Sequence, residues 1–259
     1  MKYALIYDGT FAGFLSAVFE IYDRKLHQVI ICKKESPAPP MFETIVTVDT
    51  AEEKSIRVWN GFKKKVTAMS AAAFYAAFLS EQKGIESTLL SMMEYIFANG
   101  IAADSNYANP HVFRVTKIAK MVNREKHRME AFVRFQQTRD GMYYAVIQPD
   151  FNVLPLISRH FTNRYADQRW MIYDEKRKYA LYYDLEKTQA VELEFTKPGT
   201  HGKLTSDQMD VSEMMYEKLW KTYFKSVNIP SRKNTRLHIR HVPLRYWKYL
   251  TEKQPERLS

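Results

Sequence analysis

Between residues 131 and 196 the apolar pattern changes period several times, and this constrains the fold more than any other feature of the chain. AFVRFQQT and MYYAVIQ read as strands joined by Arg139-Asp140-Gly141, where the Asp-Gly pair signals a hairpin. Pro149 ends that hairpin, and Asn152 is placed to cap a helix running to about Tyr165, with Pro155 tolerated in its first turn. On that helix Val153, Leu154, Ile157 and Phe161 share the core-facing arc, and His160 and Arg164 fall at its edge, which predicts half-burial. WMIYD and YALYYD then form a second hairpin across Glu175-Lys176-Arg177-Lys178, and AVELEF alternates as a further strand with Glu192 and Glu194 outward. A hairpin, a helix and a second hairpin in this order predict an α+β fold.

The first hundred residues read differently. KYALIYD is a buried strand that stops at Asp8-Gly9, after which Thr10 can cap the helix FAGFLSAVFEIYDR. HQVIICK is a second short strand and ESPAPP a loop. Residues 51–65, 69–83 and 85–99 carry helical spacing, the second closing on Gly84 as a C-cap. The strand–turn–helix opening has one glycine in its turn and neither GxGxxG nor GxxxxGK[ST], so it is a weak phosphate cradle. Residues 98–110 have linker chemistry, which divides the chain into 1–103, a helical part with a short strand–helix–strand start, and 104–259, a basic α+β domain expected to bind nucleic acid. No apolar run reaches membrane length, and a single cysteine, Cys32, suits a reducing compartment, so a cytoplasmic protein without membrane attachment is expected. One cysteine also excludes an internal disulfide and a thiolate zinc site built by this chain alone.

The net charge of +10 is unevenly placed. Residues 1–109 hold 11 Lys/Arg against 12 Asp/Glu, whereas 110–259 hold 28 against 17 together with six of the seven His. Such asymmetry points to a polyanion, with nucleic acid ahead of a membrane surface, the alternative being a basic surface with no partner. Read as a helix, residues 111–129 put Val112, Val115, Ile118, Ala119, Val122 and Met129 on one arc and Lys117, Lys120, Arg124, His127 and Arg128 on another. Glu125 and Glu130 fall outside the basic arc, and a stripe of one sign suits a phosphate backbone better than a merely solvated face. A second stripe is expected from Lys218, Lys221 and Lys225 on DVSEMMYEKLWKTYFKS. A third comes from the strand TRLHIRHV, with Arg236, His238 and Arg240 on one face. Pro243 starts a last helix carrying Arg245, Trp247 and Lys248, its Trp247 expected to dock that helix.

YDGTFAGFLSAVFEIY, REKHRMEAFVRF, HFTNRYADQRWMIYDEKRKYALYYD, LWKTYFKSVNIPSRKN and PLRYWKYLTE, in that order, resemble a bacterial family of uncharacterised proteins assigned to DNA metabolism or DNA repair. Genes of that family neighbour one for a radical-SAM protein of DNA repair, and related domains occur fused to a uracil-DNA glycosylase-like domain. The likeness runs over nearly the whole chain and falls, among polar residues, on Asp8, His127, Arg128, Arg134, His160, Arg164, Trp170, Asp174, Arg177, Arg232 and Asn234. It implies a nucleic-acid-binding accessory protein acting on DNA with a radical-SAM partner, and it supplies no catalytic residues.

With one cysteine the chain cannot hold a radical-SAM cluster, which needs three, so radical chemistry belongs to the partner. Pro149-Asp150 and Asp174-Glu175-Lys176 match a PD-(D/E)xK nuclease in letters, but Asp150 opens a helix and Asp174 begins a turn, where the motif needs adjacent strands to share Mg²⁺. No HxH or HExxH spacing supports a metal site, and no cofactor is expected. His127 beside Arg128 is either a base-competent imidazole or, preferably, one more phosphate donor or a helix C-cap. His160 and Arg164 form either an anion-binding lip facing Asp174 or Trp170, or a pair tying helix to sheet. Lys117, Lys120, Arg124, Arg128, Arg236 and Arg240 are the expected phosphate contacts, Arg134, Arg164 and Arg177 are expected to line the site, and Arg232 and Arg245 are further nucleic-acid-binding candidates. Two alternatives stay open: a DNA-processing enzyme, of nuclease or base-excision type, using His127, His160 and Asp174, and a scaffold that binds an acidic protein.

Overall fold

A computed structural model describes residues 2–34, 44–192, 219, 221–222 and 239–254, with α+β architecture in two compact units, 1–123 and 124–259. The ESPAPP loop, Glu194, Lys218, Lys225, Arg232, Asn234, Arg236 and His238 lie outside the described residues.

In the first unit the apolar run Tyr3–Tyr7 forms β1, the centre of a parallel sheet ordered β2-β1-β3 with β2 at Val29–Lys33 and β3 at Thr44–Thr47. Tyr3 aligns with Val29 on one side and Thr44 on the other. Central parallel strands read as continuous apolar runs because both faces are covered, which explains YALIY. β3 was not expected from sequence; its TIVT has only exposed and half-buried residues and is fixed by pairing with β1. Helix α1 (Phe11–Asp23) starts where the Thr10 hydroxyl accepts the Gly13 N–H at 2.9 Å. It is followed by α2 (Glu52–Lys63), α3 (Ala68–Phe78) and α4 (Ile85–Asn99). Rings from three helices make the core, Phe62 and Phe74 having centroids 4.6 Å apart and Phe14 and Phe78 5.8 Å. Gly84 does not cap the preceding helix. That helix stops at Phe78, and Gly84, at φ 77°, turns the chain into α4.

Helix α5 (Pro110–Phe132) contains the division at Asn123/Arg124. In the second unit β4 (Gln136–Gln137), β5 (Tyr143–Ile147), β6 (Trp170–Asp174), β7 (Tyr179–Tyr183) and β8 (Thr188–Glu192) lie in sequence order across one sheet. Both expected hairpins are present, and Gly141, at φ 79°, makes the first turn. They are joined by the parallel pair β5–β6, Tyr143 opposite Trp170, with helix α6 (Leu154–Arg164) as the crossover between them. Val153, Leu154, Ile157 and Phe161 are buried as their spacing predicts, and the Phe161 ring meets fully buried Trp170 edge-on at 6.1 Å. On the opposite face Tyr144, Tyr173 and Ala180 form a second buried cluster.

Three local expectations fail here. The strand expected from Ala131 shrinks to two residues because α5 continues to Phe132, whose ring packs 5.7 Å from that of Tyr246. Asn152 does not cap α6; its side-chain oxygen accepts the Tyr179 hydroxyl at 2.5 Å. In the tail, Ile239–His241 are helical rather than extended, and Leu244–Tyr249 form a 3₁₀ helix entered from Pro243. There Tyr246 is the buried anchor, while Trp247 is half-buried and donates its indole N–H to the Val242 carbonyl at 3.0 Å.

Candidate nucleic-acid interface

α5 is the natural place to build the site, because its two faces differ so sharply. Asn109 starts it, its side-chain oxygen accepting the N–H groups of His111 and Val112 at 2.9 and 3.2 Å. Val112, Val115, Ile118, Ala119, Val122 and Met129 are all buried, which fixes the rotation of the helix and turns the opposite arc to solvent. Lys117, Lys120 and Arg124 are exposed and Arg128 half-buried. No carboxylate among the described residues pairs with any of these four.

The two acids of α5 are engaged elsewhere. Glu125 is buried and accepts the N–H groups of Asp150 and Phe151 at 2.9 Å each, the Tyr246 hydroxyl at 2.5 Å and Arg245 at 3.3 Å. Glu130 pairs with Lys126 at 3.0 Å and stands 3.7 Å from His127 Nδ1. Arg114, Lys117, Lys120, Arg124 and Arg128 therefore face a phosphate without a carboxylate partner among the described residues, while His127, on the edge of the arc, stands against Glu130. Arg114, which does not figure among the cations expected from sequence, is exposed and lies on the same arc. The same count of about 100° per residue over 111–129 places it about 40° from Arg128 and would have found it.

The other expected cations separate by their partners. Arg134 closes the C-terminal end of α5, donating to the Ala131 carbonyl at 2.8 Å and pairing with Glu252 at 2.9 Å. Arg177 pairs with Asp174 at 2.8 Å and donates to the carbonyls of Pro149 and Asp150. Arg245 bridges Asp150 at 2.9 Å and Glu125 at 3.3 Å. These three tie loops together. Arg164 is exposed rather than half-buried, its guanidinium 5.8 Å above the Tyr165 ring. Arg240 is exposed, and Lys221, expected on an outward stripe, is buried.

Of the groups considered for chemistry, His127 is the most open, its side chain 87% exposed. His160 is half-buried with its ring edge-on to Phe161 at 5.0 Å. Asp174 is fully buried at the end of β6, and one of its oxygens accepts the N–H groups of Lys176 and Arg177 at 2.9 and 3.2 Å. Burial raises its pKa, and the Arg177 guanidinium opposes that rise without cancelling it. No hydrogen bond or ion pair joins any two of His127, His160 and Asp174. Among the described residues no group of His, Cys, Asp and Glu is placed to hold a metal ion, and no helix is long and apolar enough to cross a membrane.

A long helix with a face of one sign, leading into a hairpin–helix–hairpin sheet, defines an α+β protein with a cationic helical surface. The chain belongs to the family described as a domain of unknown function, DUF4130, which matches residues 83–252 and so takes in α4, α5 and the whole five-stranded sheet. Among solved structures, a pGpG-specific phosphodiesterase, PggH from Vibrio cholerae, is similar over 88% of this chain and 99% of its own at 11% identity. The TM-score of that likeness is 0.29, which establishes neither a shared fold nor a shared activity. No curated protein matches the chain.

Proposed function

We propose that this protein is a nucleic-acid-binding accessory protein of DNA repair or DNA modification that holds a phosphate backbone on α5 and acts with a radical-SAM partner. One observation carries the binding: the exposed arc of α5 presents Arg114, Lys117, Lys120, Arg124 and Arg128 without a carboxylate partner among the described residues, while Glu125 is buried and Glu130 is engaged by Lys126 and His127. Unpaired cations in a row gain counterion-release energy from a polyanion, whereas mixed-sign faces spend it on internal pairs. The DNA context and the partner come from the family resemblance. A chain whose one cysteine is Cys32 leaves any iron–sulfur cluster to that partner.

The test is binding of labelled single- and double-stranded DNA across a salt series. Replacing Lys117, Lys120, Arg124 and Arg128 by Gln should flatten the log–log salt slope of the strand form that binds, by up to about 3.6 on duplex at roughly 0.9 per phosphate or about 2.8 on single strand at roughly 0.7, with the thermal melt unchanged. Absence of binding at low salt, or an unchanged slope in the variant, would overturn the reading.

A further inference from the structure

The cationic arc of α5 is not purely polar. At about 100° per residue, its members in angular order are Lys120, Phe113, Arg124, Lys117, Arg128, Met121 and Arg114, all within roughly 120°. Phe113 is 53% exposed and Met121 40% exposed, on a helix whose other apolar side chains between Val112 and Val122 are buried. Single exposed apolar side chains are ordinary on protein surfaces. These two differ in that both stand among cations with no carboxylate partner among the described residues, with about 12 Å of helix axis between them. Phe113 also lies in the first turn of α5, where the aligned backbone dipoles add partial positive charge beside Arg114 and Lys117.

An intact duplex offers such a face phosphates and sugars on the outside of stacked bases, and it gives an exposed phenyl ring nothing flat to cover. A single strand offers both parts at once, phosphates for the cations and unpaired bases for the ring. We infer that α5 is built for unpaired nucleic acid, with Phe113 as the stacking platform and Met121 as a polarisable secondary contact for the neighbouring base. The inference rests on the nucleic-acid reading of α5 and narrows its substrate class to single-stranded or locally opened strands. Charge contacts would set the salt dependence, and the ring would set the preference for strand form.

The experiment measures anisotropy of one labelled oligonucleotide, alone and annealed to its complement, against wild type, Phe113→Ala and Phe113→Trp. Phe113→Ala should weaken single-strand binding by about 5- to 150-fold, leaving the duplex affinity and the salt slope unchanged. Phe113→Trp should keep the single-strand preference. Because Phe113 is exposed, neither substitution touches the core, and a thermal melt checks this. Equal weakening of both strand forms, or no change in either, would overturn this inference alone. A wild type that binds neither form would overturn the nucleic-acid reading together with it.

Discussion

A Cβ built on Gly13 would lie 2.2 Å from one Asp8 carboxylate oxygen and 2.8 Å from the Thr50 hydroxyl, whereas one built on Gly61 meets nothing within 4 Å. Both glycines are inside helices, where replacement by Ala ordinarily gains up to about 1 kcal/mol. Gly61→Ala should show that gain in urea unfolding. Gly13→Ala should instead cost about 1–3 kcal/mol, because it drives the Asp8 side chain off its partners, and Asp8→Ala in the same chain should return part of the loss. Those partners are the Thr10 N–H at 2.9 Å, the Thr10 hydroxyl at 2.7 Å and the Thr50 hydroxyl at 2.7 Å. Desolvation pushes the Asp8 pKa up, but the hydrogen bonds outweigh it and hold the carboxyl below its ordinary value, and Asp104 is held down in the same way by Thr67 and Ser70. For a carboxyl depressed in the fold, the stabilisation is fully present above the unfolded value of 3.8 and is lost as the pH falls through the folded-state values. Acid titration of stability should therefore fall less steeply below that value in Asp8→Asn and Asp104→Asn than in wild type.

At the scale of elements, what the sequence disclosed and what it withheld divide by range of interaction. The buried arc of α5, the Gly141 turn and the core set of α6 follow from spacing within one segment, and each is where its spacing put it. The end of α5 is not local. It is decided by the Phe132 ring on Tyr246 and by Arg134 on Glu252, partners more than a hundred residues further along, so a strand pattern beginning at Ala131 loses to a helix. The same holds for Arg245, where residue type declared a cation and only folding declared Asp150 as its carboxylate, whereas Arg177 finds its carboxylate, Asp174, within the same turn. The start of α5, by contrast, is local and can be weighed. Asn109→Ala should cost about 1 kcal/mol in chemical denaturation, and by loosening the first turn it should also weaken binding of any strand held beside Phe113.

At the scale of the molecule, the described C-terminal segment returns to bond residues far back in the second unit. Tyr246 reaches Glu125, 121 positions away; Arg245 reaches Asp150; Lys248 and the Tyr249 hydroxyl meet on Glu175. Tyr246→Phe keeps the ring but removes the hydroxyl that donates to the buried Glu125 carboxylate, a loss of about 1.5–3 kcal/mol for a bond to a charged group. A drop in melting temperature with unchanged circular dichroism would match that expectation, and an unchanged melt would count against it. In both sheets the middle strand is bonded along both edges: β1 between β2 and β3, and β6 between β5 and β7 with a further strand beyond each. An outer strand can fray into water from a single ladder, whereas β1 or β6 leaves its sheet only when the ladders on both sides part. In deuterium exchange, Ala4 to Ile6 and Met171 to Tyr173 should therefore be the last backbone sites to label, marking where each unit finally opens.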